Sequence, residues 1–230
     1  TVILSAKGWI RAMKGHGIDP KDLKYKDGDR GGFIIEAQTT DKIMVFASNG
    51  RFYTIGGDKL PPGRGFGEPV RLMVDIPNDA DVVDVEVYDP NAKMIVAADD
   101  GRGFIVKMAD VLAQTKNGKQ VLNVEGKSEA RLCRPVAEGH DHVAIIGTNR
   151  KMLVFKLEEV PEMAKGRGVM LQKYKEGGVS DLKTFNLKEG LSFKYGTGET
   201  QVGDIRPWIG TRADAGKLPP NGFPKSNRFF

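Results

Sequence analysis

A single cysteine, Cys133, stands among 230 residues, so no internal disulfide can form. Such cysteine usage fits a reducing, cytoplasmic setting. The surrounding Ala-Arg-Leu-Cys-Arg-Pro reads as a strand carrying a half-buried thiol. Histidine is almost as scarce. Two of the three residues, His140 and His142, sit with Asp141 in a Gly-His-Asp-His string, while His16 lies far away in sequence. A structural zinc site wants about four ligands, so no metal site is expected, and the string reads as a polar turn before a strand. No apolar run approaches the roughly 18 residues that cross a bilayer, and no signal segment is visible, so no membrane partner is expected. The first residues, Thr-Val-Ile-Leu-Ser, are strand-like and lack an initiator methionine, which points to a piece of a longer chain.

Nucleotide and catalytic motifs are missing as well. No G-x-G-x-x-G string occurs, and the glycine-rich Lys165-Gly-Arg-Gly168 is followed by an apolar β-like run instead of the Lys-Ser/Thr of a P-loop. None of the five tyrosines has the neighbouring base, cation or metal that would activate a nucleophile, and no set of carboxylates or histidines converges as in a hydrolase. No catalytic residue and no cofactor site are therefore expected.

What the chain has is glycine, 29 residues of it, and short β-like runs in place of helical periodicity. The net charge of +5 is unevenly spread: residues 1–30, 101–131 and 205–230 carry +3, +3 and +4, whereas 75–100 carry −7. Basic regions of this kind favour a polyanion as partner. The acidic span 74–90 repels phosphate and is expected to face away from one.

The β-like runs repeat. Residues 42–55, 93–106 and 142–155 each have two β-rich arms around Asn49-Gly50, Asp100-Gly101 and Asn149-Arg150. Each reads as a hairpin with a tight two-residue turn of positive φ, Asn149 taking the left-handed conformation in the third. Residues 2–13, turning at Lys7-Gly8, look like the same unit, and 182–195, turning near Glu189-Gly190, like a fifth. The turns lie 42, 51, 49 and 40 residues apart, a period that suits an array of four-stranded blades. This predicts an all-β, propeller-like single domain over 1–230, with blades at about 1–38, 39–88, 89–140, 141–180 and 181–230.

A second element follows each central hairpin: residues 59–70, 110–121 and 159–170, with a worn copy at 217–224. Each joins an apolar or proline-bearing start to a Lys/Arg-Gly turn and then a strand. Glycine lets a backbone approach phosphate closely and a cation neutralises it. Lys7, Arg11, Lys14, Arg51, Arg64, Arg102, Lys116, Lys119, Arg150, Lys151, Lys165, Arg167, Arg206, Arg212 and Lys217 are the candidate DNA contacts. Trp9 reads as a blade anchor.

Residues 3–19, 57–69, 99–122 and 151–174 together resemble the carboxyl-terminal domain of the ParC subunit of bacterial topoisomerase IV, within the family of type IIA topoisomerase A-subunit tails. The resemblance implies a β-pinwheel, whose blades exchange strands, and an outer rim that binds and bends duplex DNA. It implies partners elsewhere, namely the ParE subunit, the ParC amino-terminal core and a chromosome-organising protein, and a nucleoid-associated location. The cleavage tyrosine and the ATP and Mg²⁺ sites would lie outside this domain. The related gyrase tail carries a Gln-Arg-Arg-Gly-Gly-Arg-Gly box that wraps DNA. Here only degenerate versions occur, at 63–67, 116–120 and 165–169, which implies bending and substrate choice in decatenation and relaxation without strong wrapping. The competing reading is a protein-interaction propeller whose basic rim docks an acidic partner.

Overall fold

Strands, turns and short 3-10 segments make up the whole chain, with no α-helix, in a computed structural model that describes residues 1–230. The first repeat is a hairpin of β1 (Val2–Ser5) and β2 (Trp9–Ala12), with β3 (Gly31–Ile35) returning beside β1. The second comprises β4 (Lys42–Ala47), β5 (Arg51–Gly56), the two-residue β6 (Glu68–Pro69) and β7 (Val82–Val87). The third repeats the order with β8 (Lys93–Ala98), β9 (Arg102–Lys107), β10 (Lys119–Gln120) and β11 (Ala130–Val136). The fourth has β12 (His142–Gly147), β13 (Met152–Lys156), β14 (Val169–Met170) and β15 (Val179–Phe185), and a last hairpin pairs β16 (Ser192–Tyr195) with β17 (Gly198–Gln201).

The two-residue strands do not join the hairpin that precedes them. β6 pairs with β2, β10 with β5 and β14 with β9, so each completes the sheet of the repeat before its own. Three four-stranded antiparallel sheets result, ordered β3-β1-β2-β6, β10-β5-β4-β7 and β11-β8-β9-β14. This exchange of strands makes the fold a β-pinwheel. The chain divides into two compact units. Thr1–Pro90 with Val111–Gln120 holds the first two sheets, and Asn91–Asp110 with Val121–Phe230 holds the others.

The long apolar runs become strands covered on both faces. In β4, Ile43 to Ala47 are all buried, as are Met94 to Ala98 in β8 and the whole of β12. Such strands show continuous hydrophobicity instead of alternation. In the first unit Val2, Leu4, Ile10, Val45, Tyr53 and Val85 share one core. In the second, one core gathers Ile95, Val143, Phe155 and Leu182, and another gathers Ile146, Phe193, Phe223 and Phe229.

Several expectations need correction. The hairpin turns contain three residues, and only the third is left-handed: Gly50 has φ 81° and Gly101 φ 93°. The Asn49 and Asp100 side chains instead accept hydrogen bonds from the amides of Arg51 and Arg102, which braces a type I turn closed by a glycine bulge. In the fourth repeat the left-handed residue is Arg150, φ 62°, not Asn149. Residues 182–185 do not open a fifth hairpin, because β15 runs to Phe185 and belongs to the fourth sheet; the hairpin that follows turns at Gly196-Thr197. Five four-stranded blades are therefore not reached. The fourth sheet has three strands plus isolated bridges from Lys217 to Met152 and from Ile209 to Val154, and the last has two strands. Aromatic residues of the tail supply the missing cover, with the Phe223 ring tilted against Phe193 at 5.1 Å and edge-to-face with Phe229 at 5.4 Å. Cys133 is fully buried, its Sγ 3.3 Å from Met94 Sδ.

Arg150 holds that tail, donating to the carbonyls of Pro224 (2.9 Å) and Phe223 (3.3 Å) and to Asn227 Oδ1 (2.7 Å). Arg150→Gly relieves the left-handed strain, worth about 1–2 kcal/mol, but removes charge-assisted bonds worth about 1.5–3 kcal/mol each. A net destabilisation of at least about 2–3 kcal/mol is expected from the denaturation midpoint; a more stable variant would contradict the anchoring role.

Candidate nucleic-acid interface

Every exchanged strand is entered in the same way. Gly67, Gly118, Gly168 and Gly216 hold φ of 83°, 73°, 78° and 84°. They immediately precede Glu68, Lys119, Val169 and Lys217, which pair with Ile10, Phe52, Gly103 and Met152. A Cβ on any of these glycines would overlap the carbonyl oxygen of that same partner, at 2.6 Å for Gly118 and closer at the other three. These glycines therefore admit a neighbouring strand. Gly67→Ala is expected to cost more than Gly65→Ala. Both incur the left-handed penalty of about 1–2 kcal/mol, but a Cβ at Gly65 meets open space. Equal unfolding midpoints for the two variants would remove this account.

The exchange loops carry exposed cations: Arg64 before β6, Lys116 and Lys119 around Gly118, Lys165 before β14, and Lys217 at the fourth bridge. Lys7, on the first hairpin turn, and Lys14, just beyond β2, are exposed too. Lys151 and Arg102 are half-buried beside exchanged segments: Arg102 pairs with Met170, and Lys151 precedes Met152, which bridges to Lys217.

The other candidate cations are engaged within the fold. Arg11 is 5% exposed and donates to the carbonyls of Gly65 and Lys24, both at 2.6 Å, tying two loops of the first blade together. Arg51 reaches the carbonyls of Asn117 (2.9 Å) and Gly118 (3.2 Å) and the side chain of Gln120 (3.3 Å), clamping the exchanged strand. Arg212 donates to Met170 O at 2.8 Å. With Arg150, these residues donate to backbone carbonyls of other segments and so brace the fold. Arg167 lies 3.6 Å from both Asp100 and Glu125, and Arg206 pairs with Asp204 at 2.9 Å, so a phosphate would compete with carboxylates at both.

Two contributors escaped the sequence. Lys26 Nζ sits 3.7 Å over the Trp9 ring, and Phe66 is 41% exposed beside them. Trp9 is half-buried, not a core anchor. The only signals were the lysines at 21, 24 and 26 and the unusual Gly-Phe-Gly. Within the acidic span, exposed Asp75 donates its amide to the carbonyl of Lys116, a candidate cation.

His140 Nδ1 lies 2.8 Å from Thr184 Oγ1, and His142 Nδ1 2.9 Å from Asp141 Oδ1. The His142 hydrogen bond, helped by the Leu187 amide, holds the Asp141 carboxyl below the usual carboxylate range. Burial pushes the Tyr174 hydroxyl well above its ordinary pKa, with the Asp100 charge adding to the effect, so this phenol does not ionise readily.

Residues 41–89, 92–130 and 141–179 match the model of the family described as DNA gyrase C-terminal domain, beta-propeller. The chain belongs to that family. The matched stretches coincide with the second, third and fourth repeats. The whole chain is 46% identical to the A subunit of DNA topoisomerase 4 from Rickettsia bellii and spans 31% of that protein. At 97% coverage it is 32% identical to the corresponding subunit of DNA topoisomerase 4 from Pseudomonas aeruginosa, again over 31% of its length. The chain thus spans about a third of these relatives. The fold matches that of the E. coli ParC C-terminal domain, with a TM-score of 0.82, 24% identity and coverage of 96% of this chain and 94% of that one. It also matches the DNA gyrase A C-terminal domain, with a TM-score of 0.68, 14% identity and coverage of 99% and 79%. The resemblance to ParC tails read from the sequence is borne out.

Proposed function

We propose that this chain is the DNA-binding and DNA-bending domain of a topoisomerase IV ParC-type subunit, steering substrate choice in decatenation and supercoil relaxation. The observation that carries this reading is the recurrence of one glycine-anchored exchange loop, each copy presenting an exposed cation: Arg64, Lys116, Lys165 and Lys217. Lys or Arg at the phosphate backbone supplies affinity without base readout, and no recognition helix is present to read bases. Repeated phosphate contacts on separate blades favour a bent path. DNA cleavage and ATP and Mg²⁺ chemistry belong to the longer protein, whose partners are the ParC core and the ParE subunit. The setting is the bacterial cytoplasm, at the nucleoid.

The test is binding to a fluorescent duplex titrated with salt. Log affinity is expected to fall linearly with log salt, by about 0.9 per phosphate contacted. Salt-indifferent or absent binding would remove the reading in favour of an acidic protein partner.

A further inference from the structure

The position just before each anchoring glycine is occupied by Phe66, Asn117, Arg167 and Ala215 in the four loops. Phe66 alone is large and apolar, and it remains 41% exposed. The loop that carries it is held on both sides. The Gly65 carbonyl accepts the 2.6 Å hydrogen bond from buried Arg11, and Gly67 is seated against the Ile10 carbonyl. With its two neighbours fixed, the Phe66 backbone has little freedom to tuck the ring beneath the sheet. Around it are exposed Arg64 and Lys7, and Lys26 lying over Trp9. Together Lys7, Trp9, Lys26, Asp27, Asp29 and Phe66 line a cleft of about 570 Å³.

We propose that Phe66 is a wedge that enters duplex DNA between base pairs and places a kink at the first blade. This rests on the DNA-binding reading above and adds to it a residue and a mechanism. An apolar side chain on a pre-ordered, cationic loop can unstack a base step, and such wedges kink duplexes by roughly 20–90°. Pre-ordering matters because a loop fixed before contact loses little entropy on binding. Phosphates on either side of the step fall to Lys7, Lys26 and Arg64, while Asp27 and Asp29 disfavour phosphate inside the cleft itself. The three other exchange loops, with Asn117, Arg167 and Ala215 at this position, contact the backbone without unstacking.

The experiment uses this 230-residue chain and duplexes carrying 2-aminopurine at successive steps, with donor and acceptor dyes at the ends. Saturating protein is expected to raise 2-aminopurine fluorescence several-fold and to shorten the end-to-end distance. Phe66→Ala should abolish the fluorescence rise and lengthen the end-to-end distance, with an unchanged salt slope. Arg64→Ala should lower that slope by about one and keep the rise at saturation. Phe66→Leu, which retains apolar bulk, should keep most of the signal, and it guards against a fold lost in the alanine variant. Binding by the parent chain without a fluorescence rise, or an equal rise from Phe66→Ala, overturns the wedge and leaves DNA binding standing. No binding by the parent chain overturns both.

Discussion

Replacing Asp181 with alanine is expected to destabilise the second unit by about 3–5 kcal/mol, the range for breaking a buried ion pair from one side. Asp181 is fully buried on β15. Its Oδ1 accepts from Arg134 Nη2 at 2.7 Å and Nε at 3.2 Å, and from the Leu182 amide at 2.8 Å. Its Oδ2 accepts the Phe229 amide at 2.8 Å. One carboxylate thus ties β11 and β15 to the tail that covers the last core. Alanine leaves the Arg134 guanidinium, whose side chain is only 18% exposed, without its counter-ion, and it orphans two buried amides. The tail should loosen with it, so trypsin should cut sooner at Lys225 and Arg228. Pairing Asp181→Leu with Arg134→Met should recover part of the loss, because removing both charges leaves neither one buried alone. A denaturation loss below about 1 kcal/mol, typical of exposed pairs, would show that this carboxylate is not the tie.

Changing Arg64, Lys116, Lys165 and Lys217 together to glutamate is expected to lower DNA affinity at low salt by on the order of 10²–10⁴-fold. The salt slope should fall by about 3–4, near 0.9 for each lost phosphate contact. All four side chains are exposed, so the unfolding midpoint should stay close to that of the parent. Arg11, Arg51 and Arg212 behave differently, since each donates to backbone carbonyls that hold separate segments of the fold together. Reversing them is expected to cost stability, and any loss of DNA binding would follow from loss of fold. Glu125→Gln acts in the opposite direction. It frees Arg167 from one of its two carboxylates and should raise affinity about two- to threefold, within the range set by a weak exposed pair. A quadruple variant that binds as tightly as the parent, with the same slope, would sink the assignment of DNA to the exchange loops.

Much of this architecture was legible because it is local. Hairpins at 42–55, 93–106 and 142–155 follow from apolar runs flanking a residue able to turn the chain, and β4–β5, β8–β9 and β12–β13 lie there. The fifth hairpin was misplaced because β15, with Val179, Leu182 and Phe185 buried, has the same local pattern as a hairpin arm. Strand pattern alone does not say which sheet a strand joins. Strand exchange came through the resemblance to a family and not from periodicity, since a two-residue strand such as Glu68–Pro69 has no period to read.

The sequence by itself determined an all-β repeat, the places of its central hairpins, the family and the spread of charge, all properties of residues close together in the chain. Only the tertiary structure decided which cations are available. Arg51 meets carbonyls 66 and 67 residues away, Arg150 is tied to acceptors 73 to 77 residues on, and Arg167 faces Asp100. In the sequence these arginines are indistinguishable from Arg64. Whether a guanidinium is satisfied depends on which acceptors the fold brings within about 3 Å of it, and that is settled by packing between distant segments.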